Sequence, residues 1–435
     1  MLSSERFEVH TLAPRRRRSP LKLTTAWGDG VANFVPDEAR VRFQVVIAPD
    51  LPPCDILVEK AGPRERIHFD PARTCAAIVT CGGLCPGLNN VIRSAYFALH
   101  YNYGVENIFG IRYGYMGMDP AANLEPIRLT REFVENIHER GGSVLGSSRG
   151  AVDVSAMVDF LIARSINILF CIGGDGTQRG ANAIAQEALR RKADIAVAGI
   201  PKTIDNDILY VSRTFGFNTA LEKAKEVLDC AHAEATGAPN GIGLVKLMGR
   251  DAGFIAAGAT LASQQVNFTL IPECPFKLEG RQGFLPMLMK RLEKRGHAVI
   301  AVAEGAGQDL FPDADAGADA SGNRRHRDIG LLLKEAIAAY AAAHKIPINL
   351  KYFDPSYIIR SVPANSDDSL FCNALARNAV HAAMAGKTGV LVGLLNDQFV
   401  HIPIATAVEG KKQVSLESEL WLGVIEATGQ PHSFR

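Results

Sequence analysis

One short segment combines a lysine with two aspartates and could handle a phosphoryl group. The apolar run IAVAGI ends at Pro201, and PKTIDNDI (201–208) then supplies Lys202 and, two residues apart, Asp205 and Asp207. Both carboxylates can face one site if the backbone turns, and a lysine is a compact cation suited to phosphate oxygens. Phosphoryl transfer to a hydroxyl needs a metal ion on the donor, a carboxylate that accepts the hydroxyl proton, and cations for the spreading charge. The segment therefore predicts a phosphotransferase.

A first glycine-rich loop lies further towards the N-terminus. TCGGLCPGLNN (80–90) places Gly82 and Gly83 between an apolar strand and a helix. Because glycine has no Cβ, the backbone N–H groups of such a loop can approach an anion closely. Parallel sheets bind their ligands outside the carboxyl ends of the strands, where loops of this kind lie. The loop is a candidate phosphate site.

A second glycine-rich loop adds metal-binding chemistry. IGGDGTQRGA (172–181) surrounds Asp175 and Thr177 with glycines that include Gly174 and Gly176. The carboxylate of Asp175 offers hard oxygen to Mg²⁺, and the hydroxyl of Thr177 lies at the start of a predicted helix. This pattern indicates a phosphoryl donor, and it is shared by kinases of nucleotide and lipid substrates.

Composition limits the alternatives. The 435 residues include 47 Lys and Arg against 46 Asp and Glu, so no overall charge favours nucleic acid or an anionic membrane. The eight cysteines form no C-x-x-C pair, which predicts neither a disulfide framework nor a zinc site. No apolar run reaches the length of a membrane span and no secretory signal is evident. We expect a soluble cytoplasmic protein.

The elements around these loops alternate between apolar strands and amphipathic helices. CAAIVT is followed by a helix from about Leu88, INILFCI by a helix from about Arg179, and IAVAGI leads to Pro201. A second set has the helix NTALEKAKEVLDCAHAEA, the strand IGLVKLM, the helix RDAGFIAAGATLASQQ, and the strands FTLIPE and HAVIAVAEG. Near-continuous apolar strands between helices predict parallel sheets covered on both faces. The chain is long enough for two such α/β domains.

Three other regions carry weaker patterns. VRFQVVIAP (41–49) and DILVEKAG (55–62) predict short strands of an N-terminal cap, and 305–329 predicts a mobile surface loop. AGKTG (385–389) ends like a phosphate-binding P-loop, but His381 stands where that motif requires glycine. We interpret AGKTG as the end of a helix.

Six segments in order carry a family resemblance: TCGGLCPGLNNVIR, GGSVLGSSRG, GGDGTQRGA, PKTIDND, KLMGRDAGF and AVAEGAG. Together they resemble the 6-phosphofructokinase family from about Leu57 to about Thr406. They are particularly similar to its longer branch, in which ATP-dependent enzymes look like relatives of pyrophosphate-dependent ones. The resemblance implies phosphoryl transfer to the 1-hydroxyl of fructose 6-phosphate, with Mg²⁺ as cofactor. It also implies a homotetramer under allosteric control.

The resemblance also implies a fold in which each of two domains binds one substrate. We expect two Rossmann-like three-layer α/β domains with parallel-rich sheets, plus a small N-terminal β-containing cap. The expected parts are an arm and cap (1–70), a phosphoryl-donor domain (71–217 with about 359–410) and a fructose 6-phosphate domain (218–358 with about 411–435).

Roles for individual residues follow from the resemblance alone. Asp205 matches the catalytic base, Thr203 lies beside the reacting phosphate, and Arg250 faces the transferred group. Asp175 and Asp207 match positions near the metal. The implied donor-binding residues are Gly82, Gly83, Arg149, Gly174, Gly176, Thr177, Gly180 and Lys202. The implied sugar-binding residues are Thr203, Asp205, Met248, Gly249, Arg250 and Glu304, with Lys351, Tyr357 and Arg360 as a grip on the 6-phosphate.

Two positions bear on the identity of the donor. Pyrophosphate enzymes typically carry an acidic residue at Gly176, and that carboxylate would repel the α-phosphate of a nucleotide. Lys202, in contrast, is the residue expected in pyrophosphate enzymes, although the longer ATP-dependent branch has it too. We predict ATP, with pyrophosphate as the alternative. A non-catalytic sugar-phosphate-binding regulator is a remote alternative, because Asp175, Asp205 and Asp207 are all present.

The sequence departs from the shorter ATP-dependent enzymes in the second half. Gly241 stands where those enzymes carry an arginine that reaches the 6-phosphate across a subunit interface. Lys351 and Tyr357 replace an arginine and a histidine. The 6-phosphate grip is therefore predicted on weaker grounds than the catalytic loop.

Overall fold

The computed structural model describes residues 3–52, 54–150, 152–312, 317 and 325–435. Part of the predicted 305–329 loop, residues 313–316 and 318–324, lies outside the described residues. The chain divides into two compact units, each discontinuous in sequence. The first unit comprises Met1–Thr203, Ile208–Gly216 and Val362–Lys411, and the second comprises Ile204–Asp207, Phe217–Ser361 and Lys412–Arg435.

Within the described residues the strands are short, mostly of three to seven residues. They are β1 (Arg17–Arg18), β2 (Arg40–Arg42), β3 (Leu57–Lys60), β4 (Arg66–Ile67), β5 (Cys75–Thr80), β6 (Asn107–Ile111), β7 (Ile127–Arg128), β8 (Ile168–Gly173), β9 (Ala196–Pro201), β10 (Gly241–Leu247), β11 (Phe268–Leu270), β12 (His297–Ala303), β13 (Asn349–Phe353), β14 (Val390–Leu395) and β15 (Gln398–Pro403).

The α-helices of the described residues alternate with most of these strands. They are α1 (Leu88–Phe97), α2 (Arg131–Val134), α3 (Val154–Ala163), α4 (Asp175–Arg190), α5 (Phe217–Thr236), α6 (Phe254–Ser263), α7 (Phe284–Arg295), α8 (Ile329–Ala343), α9 (Ser366–Met384), α10 (Ile404–Ala407) and α11 (Glu419–Thr428). Among the described residues no helix combines the length and the apolarity needed to cross a membrane.

The first unit is built on one sheet with the strand order β2-β3-β15-β14-β9-β8-β5-β6-β7. Its central strands, from β14 to β6, are parallel, whereas the outer strands pair antiparallel. Strands β5, β8 and β9 are buried at every residue. The chain passes from β5 to β6 on one side and later enters β8 on the other, so the strand order reverses at β5 and β8. Ligands of open parallel sheets bind at such a reversal.

The second unit has a four-stranded, fully parallel sheet in the order β11-β12-β10-β13. Strands β10 and β12 pair along their whole length, from Gly241 opposite His297 to Leu247 opposite Ala303. At the start of β10 an added Cβ on Gly241 would overlap the carbonyl oxygen of Ala235 in α5. The close approach of helix and strand therefore explains why a large side chain is absent at position 241.

The predicted α/β fold with parallel-rich sheets is confirmed, but some local bounds are wrong. The helix expected from about Arg179 begins four residues earlier, at Asp175, directly at the end of the glycine-rich loop. The strand expected over 41–49 is only Arg40–Arg42, and Val46 and Ile47 are exposed. The Arg40–Arg42 strand pairs with β3 over three residues only. Val46 and Ile47 lie beyond these paired residues and therefore do not pack on the sheet.

The AGKTG segment in the first unit follows the end of a helix and carries a lysine that contacts a buried carboxylate. Helix α9 ends at Met384, and the next residues include Gly386 with φ of 79°. The ammonium of Lys387 lies 2.9 Å from the buried carboxylate of Glu59, which also accepts hydrogen bonds from Arg64 (2.9 Å) and His401 (2.8 Å). Burial alone would raise the pKa of Glu59, but these cationic and donor groups lower it well below its ordinary value. Lys387 thus balances a buried charge.

Candidate active site

Three consecutive loops at the carboxyl edge of the first sheet lie side by side, because β5, β8 and β9 are neighbours. The backbone N–H of Gly82 donates to the carbonyl of Ser148 (3.1 Å), and the hydroxyl of Ser147 donates to the carbonyl of Gly82 (2.6 Å). The ammonium of Lys202 donates to the carbonyl of Gly83 at 2.7 Å. The loops after β5 and β9 and the GSSRG segment are therefore held together.

The N-terminus of α4 points into this group of loops. Gly174 is the N-cap, Asp175 is the first helical residue, and Thr177 is buried. The hydroxyl of Tyr115 donates to the carbonyl of Thr177 at 2.6 Å, and the Asp175 carboxylate lies 3.1 Å from Nε of Arg179. The first N–H groups of a helix have no intrahelical acceptor, and the helix dipole favours negative charge there. This end of α4 can bind phosphate.

Two glycines of α4 differ in the space that the structure leaves for a side chain. Gly176 is exposed, and an added Cβ there would have no heavy atom within 4 Å. At Gly180 an added Cβ would lie 2.5 Å from the ring of Tyr115. Gly180 therefore permits close packing of the helix, and its contact with the donor stays a prediction. Arg149, in the GSSRG segment, is exposed.

The sequence analysis missed a buried glutamine in the same group. Gln178 is completely buried, and its amide donates to the carbonyls of Gly173 (2.9 Å), Ile200 (3.2 Å) and Cys171 (3.3 Å). These carbonyls belong to β8 and β9, so one side chain ties the ends of both strands to α4. A polar residue on the inner face of α4, between small and apolar neighbours, is the signal that could have identified it.

The unit boundary falls inside the PKTIDND motif: Thr203 belongs to the first unit, and Ile204–Asp207 belong to the second. Asp205 is only 8% exposed, and its Oδ2 lies 3.6 Å from Nε of Arg250. Asp207 is 9% exposed. In the second unit the structure therefore brings together the predicted base and the predicted arginine, which are far apart in sequence.

The strands β10 and β12 position that arginine. In the turn that follows β10, Met248 is half-buried, Gly249 has φ of 149°, and Arg250 has φ of 52°. The N–H of Arg250 donates to Oε1 of Glu304 at 2.9 Å, and Glu304 directly follows β12. Because β10 and β12 are parallel neighbours, their ends bring the MGR turn and Glu304 to one place. A Cβ on Gly249 would lie 2.5 Å from the carbonyl oxygen of Ala252, so this turn requires glycine.

The predicted 6-phosphate residues lie at the edge of the second sheet. Lys351 is exposed on β13, opposite Gly243 of β10. Tyr357 and Arg360 lie in the short 3₁₀ helix Ser356–Arg360, with the guanidinium 4.7 Å from the centre of the tyrosine ring. The structure thus places Arg360 against the Tyr357 ring, and the role of all three residues in the 6-phosphate grip stays a prediction.

A second residue that the sequence analysis missed supports this edge. The ammonium of Lys246 in β10 lies 2.7 Å from Asp328, the N-cap of α8, and 2.8 Å from Asp354, which follows β13. Burial would lower the pKa of Lys246, but the hydrogen bonds to both carboxylates outweigh it and raise the pKa. Lys246 therefore fixes the start of the segment that leads to Tyr357.

Comparison with known proteins shows which family the chain belongs to. Residues 75–383 match the family described as Phosphofructokinase. The chain is 48% identical to the ATP-dependent 6-phosphofructokinase of Borreliella burgdorferi, over 99% of this chain and 98% of that protein. It is 50% identical to the ATP-dependent 6-phosphofructokinase of Entamoeba histolytica, over 84% of this chain and 83% of that protein.

Solved structures show the same fold at low identity. The pyrophosphate-dependent phosphofructokinase of Marinobacter aquaeolei is 20% identical with a TM-score of 0.67, covering 83% of this chain and 93% of its own. The T-state phosphofructokinase of Pichia pastoris is also 20% identical, with a TM-score of 0.63, covering 78% of this chain and 36% of its own. From its sequence relatives and the match over most of its length, the chain belongs to the phosphofructokinase family.

Proposed function

We propose that this protein is a glycolytic kinase that transfers the γ-phosphoryl group of MgATP to the 1-hydroxyl of fructose 6-phosphate, giving fructose 1,6-bisphosphate and ADP. The observation that carries the proposal is the buried Asp205 beside Arg250 in the second unit. Phosphoryl transfer to an alcohol uses a carboxylate as the base and a cation that stabilises the developing charge, and Asp205 and Arg250 are proposed for these two roles. Relatives that align over nearly the whole chain are named ATP-dependent 6-phosphofructokinase.

The second unit is assigned the sugar phosphate. Asp205 accepts the proton of the 1-hydroxyl as the oxygen–phosphorus bond forms, and Arg250 stabilises the charge on the transferred group. The Met248–Arg250 turn and Glu304 bind the sugar, since Glu304 already fixes the backbone of Arg250. Tyr357 and Arg360, with Lys351, bind the 6-phosphate.

The first unit is assigned the donor. The N-terminus of α4, from Gly174 to Thr177, binds phosphate oxygens through its N–H groups. The loop with Gly82 and Gly83, with Gly180, Arg149 and Lys202, completes this set, and Thr203 lies beside the reacting phosphate. The open space at Gly176 leaves room for the rest of a nucleotide.

Kinases of this family need a divalent metal ion, and we propose Mg²⁺. The described residues contain no group of three or more His, Cys, Asp or Glu side chains that could hold a metal by themselves. A set of single carboxylates fits Mg²⁺, which keeps several waters and binds through one or two carboxylates plus substrate phosphates. Asp175 and Asp207 are the carboxylates proposed for it. When bound, the ion would neutralise phosphate charge on the donor.

Pyrophosphate remains the second candidate for the donor, because Lys202 is buried and directed at the first glycine-rich loop. Its ammonium could neutralise the terminal phosphates of either donor. We favour ATP because Gly176 has no carboxylate that would repel a nucleotide.

We also propose that the protein acts in the cytoplasm as a homotetramer, which sedimentation of the purified protein at several concentrations would test.

The test is formation of fructose 1,6-bisphosphate from fructose 6-phosphate with ATP or pyrophosphate as the sole donor at matched concentration. We expect turnover with ATP and Mg²⁺, none after chelation by EDTA, and recovery when Mg²⁺ is restored. Turnover with pyrophosphate alone would make Lys202 decisive for the donor. Absence of turnover with both would contradict the proposed kinase and favour a regulator that binds sugar phosphate.

A further inference from the structure

A three-residue segment near the C-terminus contacts the backbone on both sides of the Asp205–Arg250 pair. In this 412–414 segment the N–H of Lys412 donates to the carbonyl of Asp207 at 2.8 Å. The side-chain amide of the next residue, Gln413, donates to the carbonyl of Asp251 at 3.2 Å. The first contact reaches the loop that carries Asp205, and the second reaches the residue that follows Arg250.

The third residue of the segment completes the connection through a partly buried carboxylate. Oε1 of Glu273 accepts from the N–H of Val414 at 2.8 Å and from the N–H of Gly253 at 2.9 Å. Burial raises the pKa of Glu273, and the two N–H donors oppose that rise by stabilising the anion. One carboxylate therefore joins the 412–414 segment to the end of the Gly249–Gly253 turn.

The side chain of Lys412 lies beside the helix that follows the Gly249–Gly253 turn. Its ammonium is 5.0 Å from the ring centre of Phe254, the first residue of α6, which directly follows the Gly249–Gly253 turn. Burial lowers the pKa of Lys412 to about 8, and the negative charge of Asp207 opposes that shift. The ammonium thus lies against an aromatic face, where a desolvated cation is attracted.

We propose that Lys412 is a positioning residue for phosphoryl transfer, holding the Asp205–Asp207 loop through its N–H and the start of α6, which follows the turn of Arg250, through the contact of its ammonium with Phe254. The inference rests on the function proposed above. A cation is attracted to an aromatic face, and more strongly when both are shielded from water. Lys412 therefore connects the Asp205–Asp207 loop to the helix that follows the turn of Arg250. With this connection in place, Asp205 keeps its orientation towards Arg250.

The argument predicts a particular kinetic signature. Lys412→Met keeps the apolar stem and the backbone hydrogen bond but removes the charge. Because misplacement of a reacting group by about 1 Å can cost about 10²-fold in rate, we expect kcat to fall by about tenfold to 10²-fold. The KM for fructose 6-phosphate should change by less than about threefold, since the Lys412 ammonium lies over Phe254, which is not assigned to the sugar. Lys412→Arg restores the cation and should recover kcat to within about threefold of the wild type.

The experiment compares these variants with the wild type and with Lys411→Met, which removes the neighbouring lysine. Thermal unfolding with and without fructose 6-phosphate checks the fold and the binding of the sugar, because a bound ligand raises the midpoint. We expect Lys412→Met to keep the fructose 6-phosphate shift, and Lys411→Met to keep kcat within about twofold of the wild type.

The outcomes separate this inference from the proposed function. A wild type without kinase turnover would refute the function itself. An active wild type with an unchanged Lys412→Met, or with loss only in KM, would refute the positioning role alone. An equal loss in Lys411→Met, or no recovery in Lys412→Arg, would also overturn it, because the effect would then not depend on a cation at position 412.

Discussion

Replacement of Gly176 by aspartate should exclude ATP through charge. An added Cβ at this position has open space, so an aspartate fits at the second residue of α4 without displacing its neighbours. If its carboxylate lies about 4 to 6 Å from the α-phosphate, the repulsion at an effective dielectric constant of about 20 is about 3 to 4 kcal/mol. At about 1.4 kcal/mol per tenfold, kcat/KM for ATP should fall by about 10²- to 10³-fold.

Gly176→Asn is the matched control, because asparagine has the shape of aspartate without its charge. The assay measures kcat/KM for ATP and for pyrophosphate in both variants. We expect the asparagine variant to stay within about tenfold of the wild type with ATP, and pyrophosphate to be affected less than ATP. An acidic residue in the first turn of a helix is stabilising, so the melting temperature should not fall. Equal losses in the two variants would refute the charge argument.

Three further predictions concern catalysis, sugar binding and stability. Asp205→Asn should lower kcat by about 10²- to 10⁴-fold while fructose 6-phosphate still raises the melting temperature. Glu304→Gln should weaken the support of Arg250 and raise the KM for fructose 6-phosphate, and an unchanged KM would contradict the assignment. Glu59→Gln should cost about 3 kcal/mol in urea unfolding, because Lys387 remains buried without its counter-charge. The folded-state pKa of Glu59 lies below its ordinary value of 4.5. The ionised carboxylate therefore adds to the free energy of unfolding above about pH 4.5, and this contribution is lost as the pH falls. Below that pH the stability of the wild type should fall more steeply than that of Glu59→Gln.

The sequence predicts the parts of this fold in which one local pattern decides the structure. CAAIVT is both the predicted and the observed β5, because five apolar residues and a threonine between a polar segment and a glycine-rich loop leave little choice of bounds. NTALEKAKEVLDCAHAEA lies within α5, from Phe217 to Thr236. The helix expected from Arg250 instead begins at Phe254, since Gly249 and Arg250 adopt left-handed backbone conformations that only tertiary contacts explain.

The residues of the candidate site were predictable where a short motif carries them, as in the loops around Asp175 and Asp205. Lys246 and Lys412 were not, because each acts through partners distant in sequence: Lys246 meets Asp328 and Asp354 only after the sheet has formed. Sequence spacing alone does not reveal such contacts.

The most direct test of the account is the transfer of labelled phosphate from γ-labelled ATP to fructose 6-phosphate by the wild type and by Asp205→Asn. The account predicts label on the 1-phosphate of fructose 1,6-bisphosphate with the wild type, and a rate at least about 10²-fold lower with the variant. Label that appears only as free phosphate, or an Asp205→Asn variant that transfers label at the wild-type rate, would contradict it.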